Sequence, residues 1–383
     1  MLFNQIIGQE HIKNYLKVSA ENGRIPHAQL FVGKEGSGTL PMAIAYAQYL
    51  LCNFSDNVDA CNIKCNKLQH PDLHFAFPVN SNAGGITKPV SDNYLNEWRS
   101  FITEQPYSSL YNWMEYIGVE KKQGNISKNE SDIIFKKLNL KSYEGGFKVM
   151  IIWCAENLTS QSDAAANKLL KLIEEPPNKT VLILVTENEE QIISTIRSRC
   201  QALHFPALSE QDITNTLIVN HQVSDNEAAK IAHQAEGNYN KAIHLLQNDG
   251  NDLVFEEWFI AWIRTAFKAK GNAAVIQQLI EWSDTIAKTG RETQKQFLEY
   301  CLQFFRQALL LNYKSDQLVF METKTEFNLS KFAPFVHSGN ILEIEKELNT
   351  AMYHIERNGN AKIVLLDLSM KLTRFLHKKE ETV

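Results

Sequence analysis

The amino-acid sequence predicts a parallel α/β domain at the N-terminal end, followed by a small helical unit and an all-α region. Residues 1–206 alternate short apolar runs with helical patterns, as sequences of βαβ units do. These runs show little alternation of apolar and polar residues, which is typical of strands buried on both faces of a sheet. Four such strands are predicted: Gln29–Val32, Val149–Cys154, Val181–Val185 and Ala202–Phe205.

Two further segments refine this division. Residues 77–147 are polar and rich in turn residues, and we interpret them as an insertion with helices of its own, one of them near Ser131–Leu138. Residues 207–248 are predicted to form the small helical unit. Ser209 has the character of a helix N-cap, and Gly237 has that of a helix stop.

Helical periodicity dominates residues 249–383. Apolar residues recur there at i, i+3, i+4 and i+7, as in the series Phe255, Trp258, Phe259 and Trp262. Stripes of this kind pack against other helices. We therefore predict an all-α bundle that serves assembly rather than chemistry.

Composition and charge restrict the functional classes. At 383 residues the chain is long enough for two or three domains. A formal net charge of −5 argues against a strongly basic nucleic-acid binder. The N-terminus lacks the order of a signal peptide, and no run of about 18 apolar residues predicts a membrane span. The six cysteines show no clear disulfide framework, so we expect a reduced, cytoplasmic setting.

The most informative motif is a glycine-rich loop that lacks two residues. Residues 33–40 follow an apolar strand and precede a helical run, which is the setting of a P-loop. Gly33 and Gly38 have the correct spacing. Thr39 replaces the Lys that binds phosphate, and Leu40 replaces the hydroxyl that binds Mg²⁺. Lys34 is basic but stands at the wrong end of the loop, so no nucleotide cofactor is expected here.

The acidic motif of a P-loop hydrolase is missing as well. In such enzymes an acidic pair at the end of a strand binds Mg²⁺ and orients water. Here the strand is followed by Trp153 and Cys154, and Glu156 lies two positions further on. Two independent losses indicate a nucleotide hydrolase that no longer hydrolyses. The alternative is an α/β domain that never bound nucleotide.

A pair of arginines precedes the last predicted strand, in the segment Thr195–Cys200. The guanidinium group carries a fixed charge and forked donors that suit phosphate oxygens. An arginine supplied by a neighbouring subunit can raise nucleotide hydrolysis by roughly 10³–10⁵-fold. Arg197 and Arg199 point in different directions if they lie at a helix end, so only one need reach outward. The alternative is that both pair with surface carboxylates.

These residues carry a resemblance to a known family. Ser198-Arg199-Cys200 resembles the Ser-Arg-Cys motif of clamp-loader AAA+ subunits. The similarity covers nearly the whole chain except residues 77–147. It also includes Ile7-Gly8-Gln9, the segments Arg24–Phe31 and Ala164–Pro177, His70-Pro71-Asp72, and Asn360–Leu368.

The resemblance implies the fold and the function. It implies an AAA+-like P-loop domain, a helical lid and a helical collar that joins the subunits into a ring. The combination of an inert loop and an intact Ser-Arg-Cys motif in one sequence resembles the non-hydrolysing member of the bacterial DNA polymerase III clamp loader. Arg199, flanked by Ser198 and Cys200, would then enter the ATP site of a neighbouring gamma/tau motor subunit. The implied partners are the gamma/tau and delta subunits and, through the complex, the sliding clamp and primed DNA.

Two rival functions remain open. The chain could be a divergent ATP-binding AAA+ protein that uses Lys34 and Glu156 in unusual places, or a motor-subunit paralogue with residual ATPase activity. It could also be a pure scaffold in which Arg199 is only structural. Thr186 resembles the first sensor position of the family, and without nucleotide we expect it to cap the end of a strand.

A zinc module is usual in this family, and here it is altered. Cys52 and Cys61 keep the expected gap of eight residues, but the following motif has lost a cysteine. A structural zinc site needs four ligands, commonly thiolates and imidazoles. Cys52, Cys61, Cys65 and His70 could form a Cys₃His site. The alternative is a site that has decayed to small buried residues.

Overall fold

Five parallel strands form a single sheet in the N-terminal half of the chain. In spatial order they are β2, β3, β4, β1 and β5, and all neighbouring pairs are parallel. The predicted parallel α/β fold is therefore confirmed. The strand bounds are β1 Ala28–Gly33, β2 Leu73–Ala76, β3 Lys148–Trp153, β4 Thr180–Thr186 and β5 Gln201–Phe205.

The computed structural model describes most of the chain, in two compact units, Met1–Leu246 and Gln247–Val383. The predicted boundary between lid and collar, at 248/249, lies outside the described residues, and the division into three domains stays a prediction. Among the described residues, no helix combines the length and the apolar character needed to cross a membrane. The described residues are 1–53, 55–81, 86–119, 122, 124–158, 164–247, 251–315, 317, 325, 327–357 and 359–379.

Sequence patterns located four of the strands and missed β2. Leu73–Ala76 has only four residues, one of them His74, which is too short to show a period. The prediction that all strands are buried on both faces is wrong for β5. Within the described chain β5 pairs only with β1, and Gln201, Ala202 and His204 are exposed. An edge strand has one neighbour, so it needs less apolar surface than the central strands.

Helices cover both faces of this sheet. Successive strand residues point to opposite faces, so Phe31, Ile151 and Ile183 pack with helices α1–α5, and Leu30, Met150 and Leu182 pack with α6–α8. The bounds are α1 Glu10–Glu21, α2 Thr39–Cys52, α3 Val58–Asn66, α4 Leu95–Glu104, α5 Leu110–Tyr116, α6 Lys128–Asn139, α7 Ala164–Glu174 and α8 Ser194–Arg197.

The segment interpreted as an insertion does contain helices, and they complete the core of the sheet. Trp98 of α4 stacks on Phe77 with ring centroids 4.1 Å apart, and it meets Trp113 of α5 and Trp153 of β3 at 5.2 Å. Helix α6 confirms the helix predicted near Ser131–Leu138. Aromatic rings contribute large buried areas, so this segment stabilises the α/β domain rather than standing apart from it.

A small helical group follows β5 in the same unit. Its helices are α9 Glu210–His221, α10 Asp225–Ala235 and α11 Tyr239–Gln247. Ser209 caps α9 by accepting a hydrogen bond from the Asp212 amide at 3.1 Å, as predicted. Gly237, with φ +84°, makes the turn between α10 and α11. The group has its own apolar cluster, which includes Ile213, Leu217, Ala228, Ala232 and Ala235.

The second unit is helical throughout the residues described. The predicted stripes are packing faces, since Phe259, Trp262, Cys301 and Leu348 are buried in one apolar cluster. Trp262 stacks on Trp282 with centroids 5.1 Å apart. The bounds are α12 Asn251–Lys268, α13 Ala273–Ala287, α14 Arg291–Asn312, α15 Leu329–Phe332, α16 Ile341–Glu356 and α17 Ala361–Phe375.

Candidate functional site

The glycine-rich loop has the strand–loop–helix geometry that the sequence predicts. Gly33 ends β1, Thr39 begins α2, and Gly38 adopts φ +92° between them. This left-handed conformation favours glycine. Thr39 and Leu40 are both buried in the first turn of α2, so the two substituted side chains belong to the protein interior.

Residues of the small helical group occupy one side of this loop. The Tyr239 amide donates to the Gly36 carbonyl at 3.3 Å. A Cβ atom on Gly36 would lie 2.0 Å from Asn238 Oδ1, which shows how closely α11 and its preceding turn approach the loop. Glu35 accepts a hydrogen bond from Asn240 Nδ2 at 2.8 Å. The small helical group therefore contacts the loop through the Gly36 carbonyl and the Glu35 carboxylate.

Tyr107 occupies the other side of the loop. Its ring edge lies 3.1 Å from the position of a Cβ on Gly38, and its centroid lies 5.0 Å from that of Tyr239. The Tyr107 hydroxyl accepts a hydrogen bond from the Ile7 amide at 2.8 Å. The remaining cavity beside the loop measures about 20 Å³, which is room for roughly one water molecule. Tyr107 thus narrows the space beside Gly38.

The ends of β3 and β4 do not supply the missing acidic pair. Trp153 and Cys154 are buried, and burial raises the pKa of the Cys154 thiol well above its usual value. The carboxylates of Glu156, Glu187 and Glu35 raise that pKa further, so Cys154 is a neutral thiol and not a metal ligand of the kind that an acidic motif supplies. The hydroxyl of Thr186 lies 2.6 Å from Glu156 Oε2.

Thr186 has the local role expected of it. Its hydroxyl oxygen accepts a hydrogen bond from the Asn188 amide at 3.2 Å, which closes the end of β4. Desolvation raises the pKa of the bonded Glu156 carboxyl. Lys34, exposed at the start of the loop, does not replace the missing P-loop lysine because it stands at the opposite end of the loop.

The arginine motif lies in the turn between α8 and β5. Arg199 is 41% exposed, and its Nε donates to Glu174 Oε1 at the end of α7, at 2.8 Å. Its Nη1 donates to the Thr195 carbonyl at 2.9 Å. Arg197 is also exposed but forms no ion pair with any described residue. The alternative of surface pairing therefore describes Arg199 in the isolated chain and does not describe Arg197.

The turn around Arg199 is held by its neighbours. Ser198 is exposed, and its hydroxyl donates to the Thr195 carbonyl at 3.3 Å. Cys200 is partly buried against the apolar cluster of α6–α8, and burial raises the pKa of its thiol to about 11. Cys200 is thus a packed thiol at neutral pH. Its side chain packs against the apolar cluster and holds the turn in place, while the Arg199 side chain is exposed.

Arg199 lies at the N-terminal ends of the parallel strands, and the glycine-rich loop lies at their C-terminal ends. Strands β1 and β5 are parallel, with Gln29 beside Gln201 and Gly33 beside Phe205. Arg199 precedes Gln201, whereas the loop follows Gly33. Four strand rises of about 3.3 Å place the two levels roughly 13 Å apart along the strands. Arg199 therefore cannot serve the loop of its own chain.

Three of the four candidate zinc ligands, the cysteines, converge in the described structure. Cys52 and Cys61 form a disulfide with Cα atoms 5.4 Å apart, because α3 packs against α2 and brings Cys61 beside Cys52. The expectation of no disulfide is therefore wrong for this pair. Cys65 Sγ lies 3.6 Å from Cys52 Sγ. The three sulfur atoms lie within 4.8 Å of one another.

His70, in the segment before β2, lies near Cys61 and is not grouped with all three sulfur atoms. Its Nδ1 accepts a hydrogen bond from the Asp72 amide at 3.1 Å, so its Nε2 donates to Glu144 at 3.2 Å. Ligand atoms of Cys61, His70 and Glu144 also lie within 4.8 Å of one another. This donor set suits zinc once the disulfide is reduced and His70 releases Glu144. Zinc binding itself stays a prediction.

Comparison with known proteins assigns the family. Residues 8–209, more than half of the chain, match the family model described as DNA polymerase III, delta subunit. The chain belongs to this family. It is similar to DNA polymerase III subunit delta' of Bacillus subtilis, with 29% identity over 246 residues, which cover 63% of this chain and 60% of that protein. The corresponding Escherichia coli protein is 27% identical over 240 residues, covering 61% and 58%.

The chain is also similar to proteins named DNA polymerase III subunit tau. DNA polymerase III subunit tau of Bacillus subtilis is 26% identical over 325 residues, which cover 80% of this chain and 50% of that protein. The chain thus spans 60% or less of the length of these relatives. The matches confirm the predicted relationship to delta-prime clamp-loader subunits.

Sequence patterns identified the arginine motif and the altered loop, and they missed the residues that pack against the loop. Tyr107 and Asn238 are far from the loop in sequence and carry no motif. Glu174 lies in the segment Ala164–Pro177, which resembles the family, but that segment does not indicate its ion pair with Arg199.

Proposed function

We propose that this chain is a non-hydrolysing stator of the DNA polymerase III clamp loader. It would close one end of an arc of gamma/tau motor subunits and supply Arg199 to the ATP site of its neighbour. The family match supports the clamp-loader role, and the finer role of Arg199 rests on geometry.

The position of Arg199 carries the proposal. The guanidinium group is exposed at the N-terminal ends of the strands, whereas the chain's own loop lies at their C-terminal ends. Only another molecule can therefore present a phosphate to Arg199. Its bond to Glu174 is an exposed ion pair, which contributes about 0–1 kcal/mol. A nucleotide phosphate is a stronger bidentate acceptor for the guanidinium group. Arg199 would therefore lose little free energy when it leaves Glu174 to bind a phosphate.

The blocked loop supports the absence of intrinsic hydrolysis. The phosphate-binding lysine and the metal-binding hydroxyl are missing, and Tyr107 and Asn238 fill the space around Gly38 and Gly36. A subunit of this kind changes conformation little with nucleotide and can serve as a fixed support. The helices of the second unit would form its collar with the gamma/tau and delta subunits. The sliding clamp and primed DNA would be engaged through the assembled complex, in the cytoplasm.

The test measures the ATPase of gamma/tau and delta subunits, stimulated by clamp and primed DNA, with this chain added. We expect the wild-type chain to stimulate hydrolysis. With Arg199→Ala the complex should assemble, but hydrolysis at the adjoining site should fall by roughly 10³-fold or more. Arg197→Ala is the matched control, because Arg197 is a nearby exposed arginine with no ion-pair partner in the described chain. Its complex should keep wild-type activity.

Three outcomes would contradict the proposal. Equal stimulation by wild type and Arg199→Ala would leave the chain a scaffold only. Failure of the wild-type chain to assemble with these subunits would remove the clamp-loader role. Tight binding and turnover of labelled ATP by the isolated chain would favour a divergent ATPase instead.

A further inference from the structure

The second unit contains an open apolar cavity that is lined by described residues of three of its helices and the segments beside them. It measures about 420 Å³ and lies between the C-terminal part of α12, the helix α15 and the end of α17. Volumes of this size are typical of ligand-binding pockets. Its floor belongs to the helical core, since Ile263, Phe332 and Leu376 are nearly fully buried.

Exposed aromatic rings form one wall of this cavity. Phe267 is 41% exposed and Phe335 is 39% exposed. The two rings meet edge to face with centroids 5.2 Å apart, and His377 stacks on the other side of Phe267 at 4.5 Å. Large apolar groups that stay exposed beside a completed core commonly mark an interaction site. The rings are also pre-ordered by their mutual contacts, so binding would cost little side-chain entropy.

Three cations surround the cavity, and none of the described residues that line it is a carboxylate. They are Arg264 and Lys268 of α12 and Lys331 of α15, all exposed. Arg264 lies over the ring of Phe327 at 5.9 Å, and none of the three forms an ion pair with a described residue. The chain as a whole has a net charge of −5, so this local positive rim runs against the overall charge.

We infer that this cavity docks an acidic amphipathic helix of a partner protein. The apolar face of such a helix would place its side chains against Phe267 and Phe335, and its acidic residues would pair with Arg264, Lys268 and Lys331. A helix is favoured over an extended strand because the described part of this unit offers no strand edge to which a strand could add. The inference concerns the second unit alone and does not depend on the role of Arg199.

The test uses the full chain and a fluorescein-labelled synthetic helix in which Phe and Leu recur at i, i+3, i+4 and i+7 among Glu residues. Fluorescence anisotropy should show saturable binding. A Lys version of the same helix should bind at least roughly ten-fold more weakly, because it meets the cationic rim with like charge. Arg264→Glu combined with Lys331→Glu should weaken the acidic helix by roughly ten-fold or more and improve the Lys version.

Lys346→Glu is the matched control, since Lys346 is an exposed lysine of α16 outside the cavity. It changes the net charge in the same direction and should leave the affinity unchanged. Phe267→Ser tests the apolar wall separately and should also weaken binding. Far-ultraviolet circular dichroism checks that each variant is folded.

Several results would overturn the inference. Equal binding of the Glu and Lys helices, or equal weakening by Lys346→Glu, would mean that the rim does not select charge. Stronger binding of an oligothymidine at the same cations would assign the rim to nucleic acid. A large gain in affinity after deletion of residues 380–383 would identify the chain's own C-terminus as the occupant.

Discussion

Tyr107 packs against the glycine-rich loop, and this contact leads to two predictions, one about stability and one about nucleotide binding. Its ring lies against Gly38 and Tyr239, and its hydroxyl accepts a hydrogen bond from Ile7. Two substitutions separate these contacts. Tyr107→Phe removes only the hydroxyl, and Tyr107→Ala removes the ring as well.

The structure sets the size of both effects. Without the hydroxyl, the Ile7 amide loses its acceptor, which costs about 1–3 kcal/mol when the donor is buried. Tyr107 is only partly buried, so we expect about 1 kcal/mol for Tyr107→Phe. Truncation of a fully buried aromatic residue to Ala costs about 3–5 kcal/mol. Partial burial reduces this to an expected 2–4 kcal/mol for Tyr107→Ala.

Amide hydrogen exchange in β1 and α2 measures these losses, because it reports the first unit separately from the second. Nucleotide binding is measured with a fluorescent ATP analogue. Tyr107→Ala alone should not bind, because Thr39 and Leu40 supply neither charge nor metal ligand. Thr39→Lys with Leu40→Thr should not bind either while Tyr107 fills the site. The triple variant should bind. Binding by the double variant with Tyr107 intact would refute the reasoning.

Two further predictions concern buried groups. Glu130 is buried and accepts a hydrogen bond from the Ser91 amide at 2.6 Å, and desolvation raises its pKa from 4.5 to about 7. The folded state therefore holds this proton more tightly, so stability should fall by roughly 3 kcal/mol as pH rises from below 4.5 to above 7. Urea titrations across this range should show that Glu130→Gln removes that loss, and an unchanged pH dependence would contradict the assignment. The reduced chain should bind one zinc ion through Cys52, Cys61 and Cys65 with His70. Elemental analysis after reduction checks this, and a reduced, folded, zinc-free chain would exclude it.

Local patterns in the sequence were sufficient for the central elements and the chemistry of the motifs. Buried strands such as β3 and β4 appear as uninterrupted apolar runs because both faces are covered. The helical stripes of the second unit appear because one face of each helix packs inward. The predicted loss of function in the loop follows from residue types alone, since Thr39 lacks the charge of the P-loop lysine and Leu40 lacks the hydroxyl that binds Mg²⁺.

Juxtaposition of distant residues was decided only by the tertiary structure. Tyr107 reaches Gly38, and Asn238 reaches Gly36, across long stretches of chain, and no local period records such contacts. The exposed edge position of β5 depends on which strands lie beside it, and its apolar residues do not reveal this.

The sequence by itself determined that this chain resembles clamp-loader subunits and that its loop lacks the P-loop lysine and the metal-binding hydroxyl. It also determined that Arg199 belongs to a Ser-Arg-Cys motif. Only the tertiary structure decided that Arg199 and the loop lie at opposite ends of the strands and that Tyr107 and Asn238 pack against the loop. It also decided that an apolar cavity with a cationic rim opens in the second unit. The physical reason is that residue type fixes what a side chain can do. Packing fixes which groups it meets.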